Sequence, residues 1–444
     1  AGLANLDPVA MDSYPEVARV DHVLTATTSA QRITITTSPA SGAPSWWIEF
    51  FNRGSNGVYV KGGDGTDALV IDGNGTRVSL GASEWTNVSG FENLRLVGNG
   101  SVPLSTLIGQ NSYNLALTDA LISANHDASG LLNIINDNDS ANDAAGGANT
   151  AGTAVESGVT VDARSLSATT HFTYNGEEGA SRTTDKFIFA DANVNGGNII
   201  DGGAVDNLST TWGSNADAFE VRNVATVTTG DLANVKNIGI IAGSNDQATN
   251  QTLTLQLNDT VIDSMVDSYH TSSTAQQEVL TVRMNSTADV SPVAKAVLDL
   301  DVAQITGRSG VNVTLDSAGA RDNIKLGMGY AEIYNFDTGA TAADDTITLS
   351  ASQFGIAAAA VGTTIKAATA AGSIIVFGAL GTGAVTDRVY VLQGSDLGYG
   401  AAANDVAIYY DADGSASGAA VLVGVLADTA SLGAAAASGL TIVA

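Results

Sequence analysis

The sequence predicts an all-β protein, an irregular β-solenoid with β-sandwich-like parts and little helix. Short runs of Val, Ile, Leu and Thr recur along nearly all of the 444 residues, and Gly, Asn, Asp or Ser bounds each run. Turn formers on both sides of short β-branched runs are typical of strands. Aromatic residues make up only 6% of the chain while Gly reaches 49 residues. The core is therefore built mostly of small and aliphatic side chains, which suits thin stacked β layers.

The predicted strands follow from this pattern of short runs between turn formers. In chain order they are Arg32–Thr37, Ala68–Asp72, Asn93–Val97, Tyr113–Leu117, Leu131–Ile135, Lys186–Ala190, Asn237–Ala242, Thr252–Leu257, Val279–Met284, Val311–Leu315, Thr346–Ser350, Ser373–Phe377, Arg388–Leu392 and Val406–Tyr410. Thr252–Leu257 alternates polar and apolar residues, which predicts a strand with one solvated face. Helix is expected only in short pieces, such as Asp259–His270 and Ser291–Leu298.

A weak internal repeat supports the stacking of coils. The pattern hydrophobic-x-Asn-hydrophobic occurs at Phe91–Leu94, Val221–Val224, Val235–Ile238 and Ile333–Phe336. In a β-solenoid, an Asn at a corner can hydrogen-bond backbone groups of the next coil while its apolar neighbours point inward. A coincidence in an Asn-rich chain is the alternative explanation. The irregular spacing predicts coils of unequal length.

The net charge is strongly negative. The chain has 46 Asp plus Glu against 18 Lys plus Arg, a formal net charge of -28. Such a surface repels phosphate, which excludes nucleic acid as a partner. Cations would relieve the repulsion between carboxylates, and Ca²⁺ is the hard, oxygen-seeking ion available outside cells. The chain has no Cys, so calcium can also replace the disulfides that stabilise many extracellular proteins.

The sharpest motif, Gly62–Val70, fits the nonapeptide G-G-x-G-x-D-x-U-x of calcium-binding parallel β-rolls. Its glycines allow the positive φ angles of a tight turn whose carbonyls face a cation, and its Asp supplies a carboxylate. The next turn, Asp72–Leu80, is offset by one residue and has Arg77 where a ligand carboxylate is expected. A Gly-rich hairpin turn with solvated Asp side chains is the alternative reading of this segment.

These residues resemble the RTX β-roll, in which each calcium ion sits between two stacked turns. Val60–Val70 followed by Val88–Gly98 is similar to RTX-type surface-layer proteins of Gram-negative bacteria, where a roll turn precedes a G-[FI]-E-[NT]-[LM]-x-[LV] strand. Degenerate relatives of the turn occur at Asp201–Leu208 and Arg321–Ile333. The resemblance implies Ca²⁺ as a structural cofactor. The predicted calcium ligands are Gly62, Gly63, Asp64 and Asp67, with Asp72 or Asn74 from the neighbouring turn, and Asp201, Asp206 and Asp322 in the degenerate turns.

The C-terminal region fits the same class of protein. From residue 386 to residue 444 the only basic residue is Arg388, and the segment resembles the uncleaved secretion region of type I exported proteins. A final antiparallel strand pair is the alternative. We expect three regions: residues 1–55, an N-terminal strand region and candidate inter-subunit contact; residues 56–330, an irregular β-solenoid with degenerate RTX-like turns; and residues 331–444, a C-terminal β domain with the secretion signal.

The sequence offers little for catalysis. Its four His residues lie far apart without an H-E-x-x-H motif, and no G-x-S-x-G or P-loop motif is present. We therefore expect a non-enzymatic protein of the cell surface that assembles with copies of itself into a calcium-dependent surface layer. The alternative is an RTX-type adhesin or biofilm-matrix filament protein that binds carbohydrate or another surface. Cell-surface polysaccharide is a candidate partner, and no transmembrane segment is expected.

Overall fold

A computed structural model describes residues 23–25, 32–36, 59–62, 66–72, 77–97, 112–137, 158–176, 184–203, 217–266, 278–286, 295–306, 309–316, 321–337, 345–350, 353–354, 364–365, 375–376, 388–393, 406–411, 421–427 and 440–443. These residues are mostly strand, and most of their sheets are parallel. The predicted all-β class with little helix is thereby confirmed. The chain divides into two compact units, which we call unit 1 (residues 1–219 and 234–238) and unit 2 (residues 220–233 and 239–444).

The strands are short and follow one another closely along the chain. The first half contains β1 (Val23–Thr25), β2 (Arg32–Thr36), β3 (Tyr59–Lys61), β4 (Ala68–Asp72), β5 (Arg77–Leu80), β6 (Val88–Ser89), β7 (Asn93–Val97), β8 (Ser112–Ala116), β9 (Leu132–Asp137), β10 (Gly158–Asp162), β11 (Phe172–Gly176), β12 (Lys186–Phe189), β13 (Ile199–Asp201), β14 (Ala218–Arg222), β15 (Ala225–Val227) and β16 (Val235–Lys236). The second half contains β17 (Ile240–Asn245), β18 (Gln251–Asn258), β19 (Glu278–Ser286), β20 (Ala296–Gln304), β21 (Ser309–Thr314), β22 (Asn323–Leu326), β23 (Tyr330–Tyr334), β24 (Thr346–Ser350), β25 (Thr364–Ile365), β26 (Ile375–Val376), β27 (Arg388–Gln393), β28 (Val406–Asp411), β29 (Val421–Leu426) and β30 (Leu440–Val443).

The α-helices in the described residues are α1 (Asp119–Ala124) in unit 1 and α2 (Asp259–Val266) in unit 2. The helix predicted at Asp259–His270 is confirmed over α2, whereas α1 was not predicted. The helix predicted at Ser291–Leu298 is wrong over its last three residues, because β20 begins at Ala296. In β20 alternate residues are buried and the residues between them face outward, a period-two pattern that belongs to a strand. No helix of the described residues is long and apolar enough to cross a membrane.

In unit 1, consecutive strands alternate between two parallel sheets. One sheet has the order β16-β13-β11-β9-β7-β4-β2, and the other contains the order β12-β10-β8-β5. β1, β3 and β6 form a third, three-stranded sheet. Phe172 on β11, for example, lies opposite Leu132 on β9 in a parallel ladder. Parallel neighbours require a connection that returns to the starting end. From β7 to β13 each return passes through a strand of the other sheet, whereas β3 of the three-stranded sheet lies between β2 and β4 in the chain.

Unit 2 repeats the alternation and ends in antiparallel strands. One sheet has the order β15-β18-β20-β22-β24-β30-β25, and the other contains the order β26-β27-β28-β29-β23-β21-β19-β17. Pairing is parallel from β17 to β24, whereas β26 to β29 form an antiparallel meander. β29 then joins β23, and β30 joins β24, both in parallel. The C-terminal strands are therefore integral parts of unit 2.

The core of unit 1 consists of the inward-facing residues of its stacked strands. In β8 and β10 every second side chain is buried, as expected for strands with one inner face. Phe189 stacks on Phe219 at a centroid distance of 4.7 Å and on Phe172 at 6.3 Å. A few aromatic rings thus fill positions that smaller residues occupy elsewhere in the stack.

The Asn repeat predicted from the sequence has a physical basis at three of its sites. Asn223, Asn237 and Asn335 adopt left-handed backbone conformations with φ of 68°, 54° and 62°, and Asn tolerates this region better than other non-Gly residues. Each follows directly on a strand, so the Asn ends the strand with a sharp turn. The predicted strand Asn237–Ala242 is shortened for this reason, since β17 begins at Ile240.

The predicted role of this Asn in joining coils holds at Asn335, whose Nδ2 donates to the backbone carbonyl of Leu315 at 3.1 Å. Asn93 differs from the other three, because it begins β7 instead of ending a strand. Most apolar members of the repeat are buried, but Val224 is 57% exposed. The repeat therefore marks strand ends at three places and a strand start at the fourth.

Candidate functional site: carboxylates at the starts of strands

The predicted calcium-binding turn begins at Gly62, directly after β3. The Gly62 backbone N–H donates to the carbonyl of Ser89 at 2.8 Å. A Cβ on Gly62 would lie 1.6 Å from the carbonyl oxygen of Gly90, and Gly90 itself has φ of +75°. The close backbone approach and the left-handed conformation both require Gly. Gly62 and Gly90, the residues that directly follow β3 and β6, are therefore in backbone contact.

Asp67 and Glu92 place two carboxylates beside these stacked turns. Asp67 is fully buried, and its Oδ2 lies 3.1 Å from the position that a Cβ of Gly62 would take. The Asp67 backbone N–H donates to Glu92 Oε2 at 2.6 Å, and the Asn93 N–H donates to the Asp67 carbonyl at 3.1 Å. Glu92, from the G-F-E-N-L segment, is thus a neighbour of the turn that the sequence did not identify.

Asp67 and Glu92 bring carboxylate oxygens to this position, the type of ligand that calcium prefers. Calcium usually takes about six to eight oxygen ligands, more than Asp67, Glu92 and the glycine carbonyls provide. Among the residues that the structure describes, no group of three or more His, Cys, Asp or Glu side chains could hold a metal ion. The predicted ligands Gly63, Asp64, Asn74 and Asp206 lie outside the described residues, and Asp72 is the last residue of β4.

The other two predicted ligands, Asp201 and Asp322, accept hydrogen bonds from backbone or amide N–H groups. Asp201 Oδ1 accepts from the Gly203 N–H at 3.1 Å and from Asn237 Nδ2 at 2.5 Å. Asp322 Oδ1 accepts from the Leu298 N–H at 2.6 Å. The second oxygen of Asp322 is buried and has no hydrogen-bond partner. The structure thus gives these carboxylates a part in joining strands, and a calcium role for them stays a prediction.

Sequence reasoning missed a buried arrangement in unit 1 that we call the unit 1 carboxylate ladder. Asp185 and Asp217 each precede a strand, and both are buried. Asp185 Oδ1 accepts from the Val159 N–H at 2.8 Å, and Asp217 Oδ1 accepts from the Asp185 N–H at 2.7 Å. Each carboxylate thus accepts a backbone N–H at or just before the start of the neighbouring strand, a group that would be costly to bury unpaired.

Unit 2 contains the same arrangement, the unit 2 carboxylate ladder. Asp322 Oδ1 accepts from the Leu298 N–H, and Asp345 Oδ1 accepts from the Asp322 N–H at 2.9 Å. Asp345 Oδ2 also accepts from the Asp337 N–H at 2.7 Å. Asp322 and Asp345 are both buried, with relative exposures of 0% and 1%. Each unit thus contains buried Asp carboxylates that accept backbone N–H groups of a neighbouring strand.

A sequence signal for the ladders exists in hindsight. An Asp followed by any residue and then a large apolar residue opens a strand at Asp67, Asp185, Asp217, Asp322 and Asp345. The same three-residue pattern, D-x-U with U a large apolar residue, is part of the nonapeptide of calcium-binding β-rolls. The Glu92–Asp67 contact has the geometry of the Asp217–Asp185 contact, with a carboxylate accepting the backbone N–H of the acidic residue one coil before. The motif thus carries a structural role for its Asp in addition to the predicted metal role.

Burial alters the electrostatics of both ladders. Desolvation raises the pKa of Asp185 from 3.8 to about 7, against the hydrogen bonds that favour its charged form. Desolvation also raises the pKa of Asp322 to about 7, and the nearby carboxylates of Asp345 and Asp316 contribute to this rise. In both cases the low-dielectric surroundings disfavour the ionised carboxylate. Burial therefore moves the pKa of both side chains toward neutrality.

Comparisons of the sequence and the structure with known proteins find no matching family model, curated protein or solved structure. The class that the fold defines is a mostly β protein of two units with parallel sheets. Its function is therefore argued from the residues of the chain itself.

Proposed function

We propose that this chain is a non-enzymatic structural protein of the bacterial cell exterior, which assembles with copies of itself into a calcium-dependent surface layer. In this proposal the alternating parallel strands are the coils of an irregular β-solenoid with roll-like turns. Calcium stabilises the turns, and coils at the ends of the stack contact neighbouring copies. The C-terminal region directs type I secretion.

The observation that carries the proposal is the repeated joining of coils in both units. In unit 1, parallel pairing connects each described strand of the seven-stranded sheet, and of the sheet with the order β12-β10-β8-β5, to the next strand of that sheet. In both units, carboxylates accept backbone N–H groups at the starts of strands. In such stacks each repeat contacts only its neighbours, and extended proteins are built by adding repeats. A chain organised in this way along most of its described length supports a structural role.

Open sheet edges and charge support assembly with further copies. Among the strands that the structure describes, β2 is the last in the order of its seven-stranded sheet. A strand in that position presents backbone donors and acceptors that pair readily with another chain, and monomeric proteins often protect such edges with Lys. This chain has only 18 Lys plus Arg. Its 46 acidic residues repel a second copy until cations neutralise them, which supports a calcium-dependent contact.

Calcium binding is supported most directly at the first turn. Gly62 and Gly90 bring two turns into backbone contact, and Asp67 and Glu92 lie beside them. Asp64 follows Gly62 in the first of these turns in the sequence, and Asn74 lies in the next turn of the sequence, after β4. An ion between the two turns would complete its shell with carbonyl and carboxylate oxygens from both. Removal of the ion would then loosen the turns and leave the carboxylates to repel one another.

A second candidate function, carbohydrate binding by an adhesin or matrix filament, is favoured by a group on β23. Tyr330 and Tyr334 both donate through their hydroxyls to the carboxylate of Glu332, at 3.2 Å and 2.7 Å. The two phenols thus lie along the strand, with the carboxylate of Glu332 between them. A Cβ on Gly310 would be 3.4 Å from the Tyr330 ring. Flat aromatic rings beside polar groups suit sugars, which have apolar faces and hydroxyl edges. A glycan retained by the protein, and lost in Tyr334→Ala, would favour this function.

Negative-stain electron microscopy of the full chain tests the leading proposal. The protein is prepared in chelator, then transferred to millimolar Ca²⁺ or, as a control for ionic strength, to the same concentration of Mg²⁺. We expect dispersed particles in chelator and ordered sheets or filaments in calcium. Particles that stay dispersed in calcium at concentrations typical of a cell surface contradict the assembly function.

A further inference from the structure

We infer that the chain contains two copies of one structural module: module A, residues 112–218 in unit 1, and module B, residues 252–346 in unit 2. The inference goes beyond the proposed function and does not depend on calcium or on assembly. Module A has the order β8-α1-β9-β10-β11-β12-β13 and ends at the start of β14, and module B has the order β18-α2-β19-β20-β21-β22-β23 and ends at the start of β24. The described elements of the two modules therefore follow one another in the same order.

The two helices begin in the same way. Each α-helix of the described residues follows the first strand of its module. In module A the Leu121 N–H donates to Thr118 Oγ1 at 3.1 Å. In module B the Val261 N–H donates to Asn258 Oδ1 at 2.9 Å. A polar side chain thus caps each helix by accepting from the N–H three residues later.

An Asp in the first turn of each helix contacts the same later position of its module, a contact that we call the helix clamp. Asp119 Oδ1 accepts from the Ser167 N–H at 2.8 Å. Asp259 Oδ1 accepts from the Thr306 N–H at 2.8 Å. The donor lies 48 residues after the Asp in module A and 47 residues after it in module B. Residue type, accepting atom and separation along the chain therefore agree, which is the mark of an internal repeat.

The segments that lead to the clamp donors match as well. Asp162 Oδ1 accepts from the Arg164 N–H at 3.1 Å. Asp301 Oδ1 accepts from the Ala303 N–H at 2.9 Å. Each segment also contains a backbone hydrogen bond from an N–H to the carbonyl three residues earlier, namely Leu166 to Ala163 and Ile305 to Val302. The local backbone is thus fixed by the same pair of contacts in both modules.

Strand pairing has the same register in both modules. Phe187 on β12 lies opposite Val161 on β10. Ile324 on β22 lies opposite Leu300 on β20. All four residues are buried, and Val161 and Leu300 lie equally far before the clamp donor of their module. Because a slip of one residue would turn every side chain to the opposite face, the shared register places corresponding residues in the two cores.

The two carboxylate ladders are corresponding parts of the modules. Asp185 corresponds to Asp322, and Asp217 corresponds to Asp345, because each accepts the equivalent backbone N–H. The first N–H of the following strand donates to the carbonyl of Asp185 at 2.9 Å and to that of Asp322 at 2.8 Å. The ladders therefore agree in their backbone bonds as well as in their side-chain bonds.

One difference between the modules explains an unpaired atom. Seven residues after its clamp donor, module A has Tyr174, and its hydroxyl donates to Oδ2 of Asp185. Module B has Val313 at that position, and a valine side chain has no donor. The second oxygen of Asp322 accordingly has no hydrogen-bond partner. The correspondence accounts for this oxygen, which the contacts of module B alone do not explain.

Exchange of a whole module within the full chain tests the inference. One variant carries residues 252–346 in place of residues 112–218, so the packing inside the inserted module is kept. A control carries residues 256–350 in the same place, which has the same length but shifts every strand by four residues. We expect the first variant to keep a cooperative thermal transition in far-ultraviolet circular dichroism and the control to lose it. A first variant that folds no better than the control overturns the inference.

If neither variant folds, paired substitutions decide the question by hydrogen exchange and mass spectrometry. Asp217→Ala should raise the opening constant of a peptide that contains Asp185 by about 5- to 150-fold, the range for a buried donor left unpaired. Asp345→Ala should do the same for a peptide that contains Asp322. Asp191→Asn, at an exposed position, should change neither peptide. Loss of protection in one module without the other overturns the inference.

Discussion

Removal of one ladder carboxylate should destabilise unit 2 far more than removal of a side chain from the outer face of the same strand. Asp345 Oδ1 and Oδ2 accept the backbone N–H groups of Asp322 and Asp337, at 2.9 Å and 2.7 Å. Asp345→Ala leaves both donors without this acceptor. A buried donor left unpaired costs about 1–3 kcal/mol. Asp322 is buried and Asp337 is half-buried, so the two losses together cost at most about 2–6 kcal/mol.

A compensating effect reduces the expected loss in the free energy of unfolding. The Asp345 charge raises the pKa of Asp322, so the substitution also relieves repulsion between two buried carboxylates. We therefore expect Asp345→Ala to reduce the free energy of unfolding by about 3 kcal/mol, in the lower half of the range for two lost hydrogen bonds. Thr348→Ala, on the same strand but half exposed, should change it by less than about 0.5 kcal/mol.

The assay is urea unfolding of the full-length variants, followed by far-ultraviolet circular dichroism because the protein is mostly strand. The slope of the transition must be the same in all variants for the stabilities to be comparable. If Asp345→Ala were as stable as Thr348→Ala, the carboxylate ladder would not stabilise the stack, and the argument from the repeated D-x-U starts would fail.

The remaining predictions address packing, backbone contact and export. Phe189→Ala removes the central ring of the unit 1 aromatic stack and should cost about 3–5 kcal/mol in urea unfolding; a loss below that range would mean that the stack is loosely packed. A Cβ at Gly176 would lie 2.4 Å from the Gly202 carbonyl oxygen, whereas one at Gly230 meets only a side-chain oxygen at 3.6 Å; Gly176→Ala should therefore lower the thermal midpoint, and Gly230→Ala should leave it nearly unchanged. Residues 386–444 fused to a cytoplasmic passenger should carry it out of a cell with type I export, and a passenger retained inside would contradict the predicted signal. The fusion is preferable to a deletion, because a deletion would also remove β29 and β30 from unit 2.

The strands that were predicted best combine a β-branched run with flanking turn residues. Ala68–Asp72, Asn93–Val97 and Thr346–Ser350 have the predicted bounds. β11, with the sequence F-T-Y-N-G, has few β-branched residues and forms because β9 and β13 lie on either side of it. Pairing partners of this kind lie a coil away in the sequence, and local propensity does not identify them.

The ladders escaped prediction for a related reason. An Asp ahead of a strand is usual at a solvated turn, and the sequence gives no sign that Asp185 and Asp217 are buried. Their burial depends on the register between coils, which brings each carboxylate to the backbone N–H of the preceding coil. The predicted motif located Asp67 correctly at a turn, but its neighbour Glu92 could be recognised only from the pairing of β4 with β7.

The central claim, that calcium bound at the first turn controls assembly, is tested most directly by sedimentation velocity of the wild-type chain and Asp64→Asn. Both are measured in chelator and in about 5 mM Ca²⁺, above the affinities of many extracellular calcium sites, with Asp191→Asn as the control for the change in charge. The account predicts that wild type and Asp191→Asn sediment as monomers in chelator and as large assemblies in calcium, while Asp64→Asn needs more calcium to assemble. Equal calcium dependence of all three proteins, or monomers under every condition, would contradict it.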